Sequence, residues 1–80
     1  MTSEAIYAKL TPVFSEVFDH DGIVLTPETT AKDIAGWDSV NHIRLIVSIE
    51  AEFGVRFTVQ EMATASNVGE FVDLIRSKLP

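Results

Sequence analysis

Cysteine is missing from this 80-residue chain. Its absence excludes a disulfide framework and a thiolate nucleophile, so any thiol chemistry must come from an added group. Positive charge is scarce as well. Six Lys and Arg stand against twelve Asp and Glu, for a formal net charge of −6. An acidic surface repels nucleic acid and anionic membranes and favours basic protein surfaces. No apolar run approaches the ~18 residues of a membrane span. No charged-then-apolar leader opens the sequence, so the expectation is no membrane insertion and a cytoplasmic location. There is no repeat, no low-complexity segment and no alternating strand pattern.

What the chain does have is hydrophobic content, at 46%, which excludes a disordered chain. Eighty residues form one domain, 1–80. A domain this small has a small core and little scope to wall a deep catalytic cleft. The hydrophobic residues recur at helical spacing. Ile6, Leu10, Val13, Phe14, Val17 and Phe18 make one face of a helix from about Ser3 to Phe18, with Ser3 as its expected N-cap and Glu4 in its first turn. Pro12 removes one backbone donor, so the helix is expected to continue with a kink.

Residues 19–37 form a long connection. Asp19-His20-Asp21-Gly22 stops the first helix. Ile23, Val24, Leu25 and Ile34 predict a loop pinned to the core, and Thr30 and Asp33 are placed to cap one turn around Lys32. A second helix is predicted from Ser39 to Phe53, ended by Gly54 as a left-handed cap. Thr58-Val59-Gln60-Glu61 has capping-box spacing and marks a short third helix, about 59–63. Asn67-Val68-Gly69-Glu70 opens a fourth, buried through Val68, Phe71, Val72, Ile75 and Leu79. The fold class is therefore all-α: a small four-helix bundle with a long loop between helices 1 and 2 and a short third helix.

The second helix carries two apolar stripes. His42, Leu45, Ile46, Ile49 and Phe53 fall on one side; Val40, Ile43, Val47 and Ala51 fall nearly opposite. Both cannot face one small core. The second stripe is either covered by the long loop or left in solvent, and an exposed stripe flanked by Arg44 and Glu50 has the character of a partner-docking surface.

At the start of that helix stands Asp38-Ser39. The aspartate is placed to cap, and the serine lies in the first turn, where unpaired N–H groups and the helix dipole favour an anion. Capping alone also accounts for a serine there. A Ser39–His42–Asp38 catalytic group is disfavoured. Three residues so close on one helix do not readily form nucleophile, base and orienter, and no nucleophile elbow is present. Asp19-His20-Asp21 lacks the spacing of a calcium loop and reads as solvated loop polarity. No catalytic residue and no metal ligand is assigned.

The stretch Gly36-Trp37-Asp38-Ser39-Val40-Asn41-His42-Ile43, with the Glu50-x-x-Phe53-Gly54 ending, resembles the phosphopantetheine-attachment region of acyl carrier proteins. The helix pattern extends the resemblance over essentially the whole chain. It implies 4′-phosphopantetheine joined to Ser39 through a phosphodiester, its terminal thiol holding an acyl group as a thioester. It implies no enzymatic activity of the chain's own. It also implies that Asp38 takes part in magnesium-dependent loading by a phosphopantetheinyl transferase. Val40, Ile43, Arg44 and Val47 would meet the transferase and acyl-transferring, condensing or modifying enzymes, with the protein acting as a monomer.

Three features depart from the family pattern. Val40 stands where leucine is most common. Asn41-His42-Ile43-Arg44 lacks the acidic residues frequent in fatty-acid-synthase carriers. Trp37 before Asp38 suggests a specialised branch, in fatty-acid or secondary-metabolite synthesis, although an aromatic shielding the helix start accounts for it too. Peptidyl or aminoacyl carriers usually place a glycine pair ahead of the serine, which Trp37-Asp38 does not match. The rival outside the family is a small helical interaction module whose Ser39 only belongs to a cap.

Overall fold

A computed structural model describes residues 2–79, and all regular structure among them is helical. Helix α1 spans Ser3–Phe18, α2 Ser39–Phe53, α3 Val59–Thr64 and α4 Val68–Lys78, with a single 3-10 turn at Ala31–Asp33. The four-helix bundle and the long first connection match the sequence expectation. Helix α1 packs on both α2 and α4. Ile6, Leu10 and Phe14 of α1, Leu45 and Ile49 of α2, and Val68, Val72 and Ile75 of α4 meet in the core. Each such side chain contributes ~1.5–3 kcal/mol relative to an exposed one.

Helix α1 runs unbroken through Pro12. Its cap differs from the expectation. Thr2, with extended backbone, accepts the Ala5 N–H at 3.1 Å, and Ser3 is already helical. Two adjacent hydroxyl residues offer the same chemistry, and only the backbone conformation decides which one caps. At the other end Asp19 takes the left-handed conformation, φ 50°, and its N–H returns to Ser15 O. Gly54 closes α2 in the same way at φ 66°. Helix α3 extends one residue beyond the expected end, to Thr64.

The long loop is pinned to the bundle, but not through every residue expected. Ile34 is buried and Ile23 and Leu25 pack on the core, whereas Val24 is 79% exposed. Backbone hydrogen bonds complete the attachment. The first N–H groups of α4 have no acceptor inside the helix. Val68 N–H donates to Thr29 O at 2.9 Å and Gly69 N–H to Pro27 O at 3.1 Å. The Thr29 hydroxyl, buried in turn, accepts from Thr26 N–H at 3.0 Å. The loop thus crosses the start of α4 and delivers the chain to the start of α2.

Helix α3 buries none of its residues and is held by polar contacts. Thr58 and Glu61 form the expected reciprocal capping box. Lys78 of α4 pairs with Glu61 at 2.9 Å and lies over the Phe57 ring at 5.6 Å. The preceding connection is fixed by Glu50, whose carboxylate accepts the Phe57 N–H at 2.8 Å.

Candidate functional site

The site begins with Trp37. Its indole packs edge-on against Phe14 at 5.4 Å between ring centroids, and against Phe18 at 5.9 Å and Phe71 at 6.2 Å. Those rings belong to α1 and α4, so the residue before the site is anchored to two core helices. The indole N–H donates to His42 Nδ1 at 3.0 Å, and the two rings lie nearly parallel, edge to edge, with an interplanar angle of 16°. Trp37 therefore shields the helix start, as a loop aromatic would, and also fixes His42 on the first turn of α2.

Asp38 is the N-cap. Its Oδ1 accepts the Asn41 N–H at 2.9 Å and its carbonyl accepts the His42 N–H at 2.8 Å. Asn41 latches the approach from the other side: its Nδ2 donates to Gly36 O at 2.7 Å, and its Oδ1 accepts from Arg44 at 3.2 Å. In the sequence, Asn41 stands out only for its missing negative charge. The bond to a carbonyl five residues back depends on the loop turning at Gly36, which spacing does not reveal.

Ser39 is the first residue of α2 and is exposed. A shallow groove opens beside it, lined by Ala31, Trp37, Asp38, Ser39 and His42. The amides of Ser39 and Val40 precede the first intrahelical bond, so their N–H dipoles present the positive end of α2. A phosphate ester on the Ser39 hydroxyl fits this place. It stays in solvent, meets favourable dipoles and displaces no packed side chain.

The same geometry does not assemble a catalytic triad. The Asp38 carboxylate faces the Asn41 N–H, and His42 Nδ1 is taken by Trp37 rather than oriented by Asp38. Asp19, His20 and Asp21 are exposed, and among the described residues no three His, Asp or Glu converge to hold a metal.

The long loop does not cover the second stripe of α2. Val40 is 71% exposed, and Ile43 and Val47 are each 58% exposed. Leu45, Ile46, Ile49 and Phe53 are buried on the opposite side, with His42 half-buried at their N-terminal end. Val47 continues into a groove shared with Glu50, Ala51, Gly54, Val55 and Arg56. Arg44 is exposed on the same helix. Ser39 is therefore flanked at the start of α2 by the exposed stripe on one side and by Trp37 and His42, which share its groove, on the other.

Comparison with known proteins adds independent support. The family model described as a phosphopantetheine attachment site matches residues 8–75. An acyl carrier protein of Thermotoga maritima is 33% identical over 76 residues, covering 95% of this chain and 94% of its own. One from Helicobacter pylori is 30% identical over 89% of this chain and 91% of its own. The solution NMR structure of a holo acyl carrier protein from Geobacter metallireducens superposes with a TM-score of 0.85 at 47% identity, over 90% of this chain and 83% of that one. With the motif, the bundle and these relatives in agreement, the chain belongs to the acyl carrier protein family and tethers acyl groups on a covalently attached 4′-phosphopantetheine arm.

Proposed function

We propose that Ser39 is the attachment point and that the exposed side of α2 presents the loaded arm to partner enzymes. The observation that carries this reading is the position of Ser39: exposed, first in α2, behind a capping Asp38 and beside an open groove. The arm supplies a thiol that this cysteine-free chain lacks. The chain's own residues do no chemistry on the acyl group and act by holding it near whichever enzyme docks, which raises its effective concentration. Asp38 holds the first turn in place and, by its match to the family motif, takes part in the magnesium-dependent loading step.

Val40, Ile43, Arg44 and Val47 form the docking face for the phosphopantetheinyl transferase and for acyl-transferring, condensing or modifying enzymes. The exposed apolar stripe on α2 supports this role. Residues 1–80 act as one carrier domain, and the reading places it in the cytoplasm as a monomer. The acyl group is favoured over an aminoacyl group because Trp37-Asp38 stands where peptidyl carriers usually have a glycine pair.

The test is mass spectrometry after incubation with coenzyme A, magnesium and a broad-specificity transferase. Unaltered protein should gain one phosphopantetheine, and peptide mapping should place it on Ser39. Ser39→Ala should fold normally, because Asp38 rather than Ser39 supplies the cap, and should gain nothing. A mass gain on another residue, or none with an active transferase, rejects the assignment.

A further inference from the structure

We propose that His42 is a positioning residue for the arm: its Nε2–H donates to the phosphate on Ser39, and Trp37 sets it up to do so. The inference rests on Ser39 being the attachment point.

An indole nitrogen only donates. Trp37 Nε1–H points at His42 Nδ1 at 3.0 Å, so Nδ1 is the acceptor and the proton of the neutral imidazole sits on Nε2. The in-plane bond to Trp37, with the two rings 16° from parallel, and Phe71 at 5.7 Å between centroids hold the ring in one orientation. Among the described residues no protein atom accepts from Nε2. His42 lies one helical turn beyond Ser39 on a shared face, since residues three apart are neighbours on a helix, and both line the same groove. A donor fixed in tautomer and orientation thus borders the place where the phosphodiester carries its negative charge. Hydrogen bonds to a charged acceptor are shorter and stronger than neutral ones. The consequence is an arm restrained at its root, while its distal part stays free to reach partners.

Trp37 links this restraint to the fold. Its ring is wedged among Phe14, Phe18 and Phe71, so the orientation of His42 is inherited from α1 and α4. The pairing also explains why a tryptophan, with its N–H, suits this position better than another large aromatic.

The experiment is NMR on the labelled full chain, before and after loading. Long-range proton–nitrogen spectra read the histidine tautomer, phosphorus spectra read the phosphodiester, and exposed His20 serves as internal control. In the unloaded protein His42 should be the Nε2–H tautomer, with the Trp37 indole proton shifted downfield. On loading, the tautomer should persist while the His42 Nε2 resonance moves and that of His20 does not. His42→Phe should displace the phosphorus resonance towards its value in free coenzyme A fragments; His42→Gln, which retains a donor, should restore part of the shift. Trp37→Phe should leave the attachment intact and give a mixture of tautomers. An Nδ1–H tautomer in the unloaded protein, or a loaded protein in which neither His42 nor phosphorus responds, overturns the proposal. Peptide mapping of the same samples keeps it separate from the attachment itself: phosphopantetheine on Ser39 with an indifferent His42 rejects this role alone, whereas attachment elsewhere rejects both.

Discussion

Gly69 shows how much a single residue can carry without signalling it. It lies in the first turn of α4, where an added Cβ would sit 3.0 Å from Pro27 O and 3.1 Å from Pro27 Cβ. Alanine favours a helix by ~1 kcal/mol over glycine, but overpacking against backbone costs ~1–3 kcal/mol. Gly69→Ala should therefore destabilise the domain by about 1 kcal/mol in urea unfolding, because the loop must lift from α4. Equal or greater stability would show that the loop yields freely. At this scale the sequence was partly legible. Asp38, Gly54 and the Thr58–Glu61 box could be read from residue type and spacing, because their partners lie within a few residues. Gly69 against Pro27 and Asn41 against Gly36 could not, since those contacts depend on where the loop goes. The Trp37–His42 bond spans only five residues, yet it too depends on the core rings that orient the indole.

At the scale of elements, α2 is the informative case. Its two stripes were visible in the periodicity, but which one met the core and whether the loop covered the other is a tertiary matter. The structure buries Ile49 completely and leaves Val47 58% exposed. Ile49→Asp should unfold the domain, because an unpaired buried charge costs several kcal/mol. Val47→Asp should cost less than ~0.5 kcal/mol and reduce the rate of loading by the transferase. Comparable loss of stability in both variants would place Val47 in the core and remove the docking face. Helix α3 behaves differently, since polar contacts hold it. The Thr58 N–H, and then Lys78, keep the Glu61 carboxyl below the usual carboxylate range. A lowered folded-state value means the contribution is present above the unfolded value and is lost as pH falls through the folded one. Carbon-detected titration should show Glu61 protonating below the ordinary glutamate range, with α3 amide protection falling in step. Lys78→Ala should move that titration upward, and an unchanged Glu61 would show that the ion pair does not contribute.

For the whole molecule, the distribution of charge decides which partners are acceptable. The chain carries −6 overall, but its few cations are unevenly committed. Lys9 lies 3.8 Å from Glu52, Lys78 pairs with Glu61, and Arg76 donates to Ser3 Oγ at 3.2 Å. Arg44 is instead held by neutral Asn41, exposed next to Ile43 on the proposed docking helix. An enzyme that meets carriers through a basic patch would place like charge against Arg44, and such contacts are an effective means of excluding partners. A dedicated partner is expected to offer a carboxylate there. The transferase should still load the protein, because Asp38 and Ser39 are unaffected. A ketoacyl synthase with a basic docking patch provides the test, using loaded protein beside an Arg44→Glu variant. The unaltered carrier should be a poor substrate, and the variant should improve kcat/KM by about tenfold, which corresponds to ~1.4 kcal/mol. The gain should shrink as salt rises, since exposed charges are screened. Efficient elongation of the unaltered protein, with no benefit from the reversal, would remove Arg44 as a determinant of partner choice. It would leave the apolar stripe to discriminate by shape, with Val40 reaching less far than the leucine usual at that position.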